Sequence, residues 1–68
     1  MKFKFVGKPT LIVDTLRTNK VYRILQFEHT GKYICAYIVD DKGEVICVPY
    51  SNMEKFNENW EFINDKLL

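Results

Sequence analysis

A chain of 68 residues with 47% apolar content makes one small domain, residues 1–68, and is too apolar for a disordered segment. Its formal net charge of +1 argues against the strongly basic balance common in nucleic-acid domains, and two cysteines are too few for a disulfide framework. No run approaches the ~20 apolar residues of a membrane span, and MKFKFVGKPT lacks the apolar core of a signal peptide. The expectation is a soluble cytoplasmic protein with both cysteines reduced.

The charge is unevenly placed. Residues 1–34 hold seven Lys/Arg and two Asp/Glu, giving +5, whereas residues 35–68 hold three and seven, giving −4. Two readings follow: charges that intermingle once the chain folds, or a basic face able to meet nucleic acid or an acidic partner.

Lys2-Phe3-Lys4-Phe5-Val6 alternates polar and apolar, the period of a half-buried strand. Its lysines would protect an edge from unwanted pairing. Gly7-Lys8-Pro9-Thr10 ends it, since proline has no N–H for a ladder. Leu11 to Asn19 reads as a short strand or a long irregular loop, with a tight turn at Thr18-Asn19-Lys20. Val21 to Glu28 is a strand with Tyr22 and Ile24 inward and Arg23 outward. Leu25 beside Ile24 breaks the alternation and predicts a bulge. His29-Thr30-Gly31-Lys32 is a short polar turn.

Lys32 to Tyr50 predicts a β-hairpin around which the rest is arranged. A type I turn over Asp41-Lys42 with Gly43 as a left-handed bulge residue gives a three-residue loop. That loop sets Asp40 opposite Glu44, Val39 opposite Val45, Ile38 opposite Ile46, Tyr37 opposite Cys47 and Ala36 opposite Val48. One face is then Ile34, Ala36, Ile38, Ile46 and Val48, a core face. The other carries Tyr33, Cys35, Tyr37, Val39, Val45 and Cys47, too apolar for an ordinary solvated face. Either the C-terminal Trp60–Phe62 segment covers it or a partner does.

Pro49 closes the hairpin. Ser51 with Glu54 three residues on predicts a short capped helical turn, and Asn57-Glu58-Asn59 breaks it before a last strand at Trp60-Glu61-Phe62-Ile63. A helix from Ser51 onward is the rival, since Phe56, Trp60, Ile63 and Leu67 also fall at helical spacing. Asn64 to Leu68 are expected to fray.

This order (strand, long loop, bent strand, Asp-Gly hairpin, Val48-Pro49, helical turn, strand) resembles an SH3-like barrel. Asn19-Lys20-Val21-Tyr22, Gly31-Lys32-Tyr33, Val39-Asp40-Asp41-Lys42-Gly43-Glu44 and Val48-Pro49 look most like small uncharacterised SH3-like barrel proteins of Gram-positive bacteria and their phages. The resemblance implies a mainly all-β, five-stranded barrel with a short helical turn before the last strand, and no activity. Lys32 stands where the groove tryptophan of peptide-binding SH3 domains would be, and Met53 where the tyrosine of the 3₁₀ turn would be. Polyproline recognition is therefore not implied.

No catalytic constellation is legible. His29 is the single histidine, and no base is placed beside Cys35 or Cys47. No Cys-x-x-Cys pair supports a metal site, and no cofactor pattern is present. The expected function is a non-enzymatic protein-interaction module, in a phage setting an adaptor or inhibitor, docking on one host protein. Its candidate surface is Tyr33, Cys35, Tyr37, Cys47 and Tyr50. Self-association into a homodimer through the same patch is a variant. The alternative is nucleic-acid binding by Lys2, Lys4, Lys20 and Lys32 among the aromatics of the basic half.

Overall fold

The structure is a computed structural model, and it describes residues 1–8 and 15–65. The elements are β1 (Lys2–Phe5), β2 (Val21–His29), β3 (Ile34–Val39), β4 (Val45–Tyr50), α1 (Met53–Asn59) and β5 (Trp60–Asn64). The five strands form one antiparallel sheet in the order β4-β3-β2-β1-β5. The sheet is open, with β4 and β5 at its edges. β1 is therefore an inner strand, and its lysines do not guard an edge. Of the expected short strand or irregular loop from Leu11 to Asn19, residues 11–14 lie outside the described residues, and residues 15–19 form no strand.

The hairpin register follows from its turn. Gly43 has φ +78°, and its N–H donates to the Asp40 carbonyl at 3.0 Å. The Asp40 N–H donates to the Glu44 carbonyl at 2.8 Å, closing the three-residue loop. From there the pairs run Val39 to Val45, Ile38 to Ile46, Tyr37 to Cys47 and Ala36 to Val48, as the turn chemistry predicts. The Asp40 carboxylate accepts from the N–H groups of Lys42 and Glu44, both at 2.9 Å, which satisfies donors the turn would leave open.

β2 spans both halves of the sheet, pairing β1 through Val21–Arg23 and β3 through Ile24–His29. The predicted bulge is there: the register shifts between Ile24 and Gln26, and Leu25 is the extra residue. Ile24 before it and Phe27 after it face the core, while Leu25 and Gln26 are both exposed. The strand thus bends without exposing its core side.

The core joins Phe3 and Phe5 of β1, Leu16, Tyr22 and Ile24 of β2, Ile34, Ala36 and Ile38 of β3, Val48 of β4, Phe56 and Trp60. Phe56 plugs it. Its ring meets Phe3 at 5.2 Å, Phe27 at 4.9 Å, Tyr50 at 5.4 Å and Trp60 at 5.9 Å between centroids. α1 exists to carry this one residue inward, as Phe56 is its buried side chain.

Four local expectations change. The helix cap is Asn52, whose Oδ1 accepts from the Lys55 N–H at 2.9 Å, and not Ser51. Asn57-Glu58-Asn59 does not break the helix but completes it. Asn59 Nδ2 donates to the Lys55 carbonyl at 3.0 Å, occupying an acceptor at the end of the helix. The strand then starts at Trp60, so the longer rival helix is not formed. Pro49 does not close β4, which runs on to Tyr50. Because Asp40 and Glu44 form a hydrogen-bonded pair, alternation makes Cys35–Pro49 a non-hydrogen-bonded one. The Pro49 nitrogen then faces the open edge, where a missing N–H costs no ladder bond. Of the tail expected to fray, Asn64 belongs to β5.

Candidate docking face

Alternation on β3 and β4 puts Tyr37, Val39, Val45 and Cys47 on the face away from the core. The C-terminal segment does not cover them. β5 pairs with β1, at the opposite end of the sheet from β4. Trp60 is buried on the core side against Phe5, with centroids 5.0 Å apart, and Phe62 lies against Phe3 at 5.3 Å. Val45 is consequently 55% exposed and Leu25 44%, with Tyr37 and Val39 half-buried between them. Tyr33, 44% exposed, sits in the loop that leads into β3.

Two of the five residues expected on this surface are displaced from it. Cys35 shares the parity of Tyr37 but is buried, and it forms a disulfide with Cys47. This corrects the expectation of two reduced thiols. The register sets the pair diagonally, yet their Cα atoms are 5.8 Å apart, within the range a disulfide spans. Diagonal placement on neighbouring strands therefore does not keep the two thiols apart. Tyr50 lies opposite Ile34, on the core side. Its hydroxyl accepts from the Trp60 indole N–H at 2.8 Å. Burial raises the Tyr50 pKa, and the bond from Trp60 opposes that rise. It is a structural tyrosine.

Tyr37 stays on the surface. Its hydroxyl donates to Glu28 Oε1 at 3.0 Å, a bond that ties the side chain to β2 and is the first cause of its raised pKa. Leu25 and Val45 belong to the same surface and were missed as site residues. The bulge that exposes Leu25 was itself the available signal.

The basic candidates separate into groups. Lys2 and Lys4 project from β1 away from Phe3 and Phe5, and Lys2 lies directly opposite Arg23. Lys20 is committed elsewhere: its ammonium pairs with Asp41 Oδ1 and stands 5.5 Å from the Tyr22 ring centroid. Arg17 Nε reaches Asp41 Oδ2 at 3.5 Å. Lys32 lies in the β2–β3 loop, at the other end of β2 from Lys20. The four lysines therefore form no common surface.

Lys2, Lys20, Val21, Tyr22, Arg23, Val39, Asp40 and Asp41 line an open groove of about 430 Å³ beside the turn. Hydrogen bonding to Lys20 is the first cause of the lowered Asp41 pKa. Desolvation opposes it, and the Tyr22 hydroxyl and the charges of Lys20 and Arg17 add to it. At Asp40, desolvation pushes upward, but the N–H of Glu44, the Thr15 hydroxyl and the N–H and charge of Lys42 together outweigh it, and the pKa is lowered.

Among the described residues no group of three or more His, Cys, Asp and Glu is placed to hold a metal ion. Likewise, no described helix is long and apolar enough to cross a membrane. Comparison with protein-family models, curated proteins and solved structures returns no match.

Proposed function

We propose that this protein is a small SH3-like barrel module that docks on another protein through the outer face of its hairpin, without catalysis. The observation that carries the reading is the apolar cluster of exposed Leu25 and Val45 with half-buried Val39 and Tyr37, left uncovered by the C-terminal strand. Apolar and aromatic side chains gathered on one rigid sheet face supply binding energy at little entropic cost. The meander order β5-β1-β2-β3-β4, with β2 bent between two halves, supports the SH3-like assignment. An adaptor or inhibitor acting on one host protein, in a bacterial or phage setting, is the form this reading takes. A homodimer through the same face is its variant. The disulfide fits this role by fixing β3 against β4 at that face, with Cys35 buried and Cys47 exposed.

The nucleic-acid alternative has less support. Lys20 is spent on Asp41, and Lys32 lies in the loop at the other end of β2.

The test is a tagged pull-down from bacterial lysate, with and without nuclease and at low and high salt, alongside sedimentation of the pure protein. The expected result is one stoichiometric protein that survives nuclease and is lost on Tyr37→Ala and on Val45→Ser. Capture unaffected by both changes but abolished by charge reversal at Lys2 and Lys4 would overturn the reading in favour of nucleic acid or another site. Sedimentation as a dimer that Val45→Ser dissociates would establish the self-association variant.

A further inference from the structure

The outer face has a row of side chains that crosses four strands. Lys2 of β1 is opposite Arg23 of β2. Continuing the β2–β3 ladder by one residue from Ile24–Ile38 sets Arg23 beside Val39, and both line the same groove. Val39 is opposite Val45. The row therefore runs from two cations to two valines. At ordinary strand spacing it is about 14 Å long.

The cationic end is unusual in its pairing. Like charges directly opposite on neighbouring strands destabilise a sheet. Lys2 and Arg23 are nonetheless directly opposite, and among the described residues neither joins an ion pair. Arg17 and Lys20, by contrast, both pair with Asp41. Even with Lys4 two residues along β1, the cations of this face are too few to track a nucleic-acid backbone, where binding draws on many phosphates, and the two that lie in the row are Lys2 and Arg23. They suit two carboxylates next to an apolar side chain.

We infer that the docking face recognises an acidic, extended peptide segment of its partner, laid across the strands, with an apolar residue over Val39 and Val45 and carboxylates over Arg23 and Lys2. This rests on the outer-face reading above and names the chemistry of the partner. The spacing fits. Side chains two residues apart in an extended segment share a face and lie about 7 Å apart. An apolar residue at one position, with acids two and four residues on, spans about 14 Å, the length of the row. Addition along the β4 edge is the less suitable mode, since Pro49 has no N–H to offer there.

The experiment titrates the isotope-labelled full chain with a nonapeptide carrying Phe-Ser-Glu-Ser-Glu between serines and follows the backbone amides by NMR. Two further probes are the same peptide with Gln for Glu and a twelve-residue oligothymidine. The expected result is shifts at Arg23, Leu25, Val39 and Val45 with the acidic peptide, and binding weakened about fivefold or more by Gln, as two exposed pairs would give. Lys2→Glu with Arg23→Glu should abolish binding, and a Lys-for-Glu peptide should restore it. Equal binding of the Gln peptide, tighter binding of oligothymidine, or no shift at millimolar peptide would each overturn the inference. Shifts confined to Val39, Val45 and Tyr37 with no charge dependence would overturn the acidic partner while leaving the outer-face reading standing. Shifts confined to β5 or α1 would overturn both.

Discussion

The Tyr22 hydroxyl donates to Asp41 Oδ2 at 3.0 Å, so a core tyrosine of β2 reaches out to hold the hairpin turn. The Tyr22 hydroxyl oxygen also accepts from the Arg17 backbone N–H at 2.7 Å. One phenol thus ties the segment before β2 to the turn between β3 and β4. Burial raises its pKa ahead of the opposing bond from Arg17. Tyr22→Phe keeps the ring in the core and removes both bonds. The expected cost is roughly 1–2 kcal/mol, since the Arg17 amide loses its acceptor. A lower urea midpoint with an unchanged m-value checks it. A midpoint equal to that of the parent would mean that water replaces the phenol without loss.

Acid should loosen the same corner. Asp40 and Asp41 both have folded pKa values below their ordinary 3.8. A carboxyl with a depressed folded pKa contributes stability that is complete above its unfolded pKa and lost as pH falls through the folded one. Stability should therefore be level from neutrality down to about pH 5 and decline below that. Asp40→Asn with Asp41→Asn should flatten the decline. Urea midpoints between pH 7 and pH 2.5 for the two proteins make the comparison, and parallel curves would assign the acid loss to other carboxyls.

The hairpin was legible because its turn chemistry is local. Asp40 and Gly43 fix the loop, the loop fixes the register, and the register sorts Ile38 from Tyr37. The bulge at Leu25 was legible for a similar reason, a failure of period two. What stayed hidden depends on long-range partners. Tyr50 looked like a surface aromatic until Trp60 supplied its donor from across the core. Lys20 looked free until the hairpin turn brought Asp41 to it. β1 looked like an edge until β5 returned beside it. The helix ran further than its composition suggests because Phe56 needs a rigid carrier and Asn59 caps its own end. Tertiary packing outweighs propensity in a segment that short.

Gly7 marks another long-range constraint. A Cβ there would run into the Asn59 side chain and come within 3.0 Å of the Phe5 ring. Asn59 cannot swing away without giving up its bond to the Lys55 carbonyl. Its backbone carbonyl also accepts from the Val6 N–H at 2.8 Å. Gly7→Ala should cost on the order of 1 kcal/mol through this contact. Gly31→Ala, where a Cβ meets nothing, is the matched control and should leave the thermal midpoint in place.

The disulfide and the aromatic plug act on opposite sides of one sheet. Cys35–Cys47 closes the hairpin across a sequence separation of 12. A cross-link of that span stabilises by up to about 3 kcal/mol, less where the turn already restrains the ends. Purified without reductant, the chain should resist alkylation until it is reduced, and reduction should lower its thermal midpoint. Phe56 is 0% exposed within its ring cluster, and Phe56→Ala should cost about 3–5 kcal/mol. A domain of 68 residues has only about 3–10 kcal/mol in all. Since the two sites share no contact face, their costs should add. Phe56→Ala should therefore keep a cooperative, lowered transition while the disulfide is intact and lose it on reduction. Far-UV circular dichroism melts of the four combinations decide this. A cooperative transition in reduced Phe56→Ala would show that the sheet holds without either.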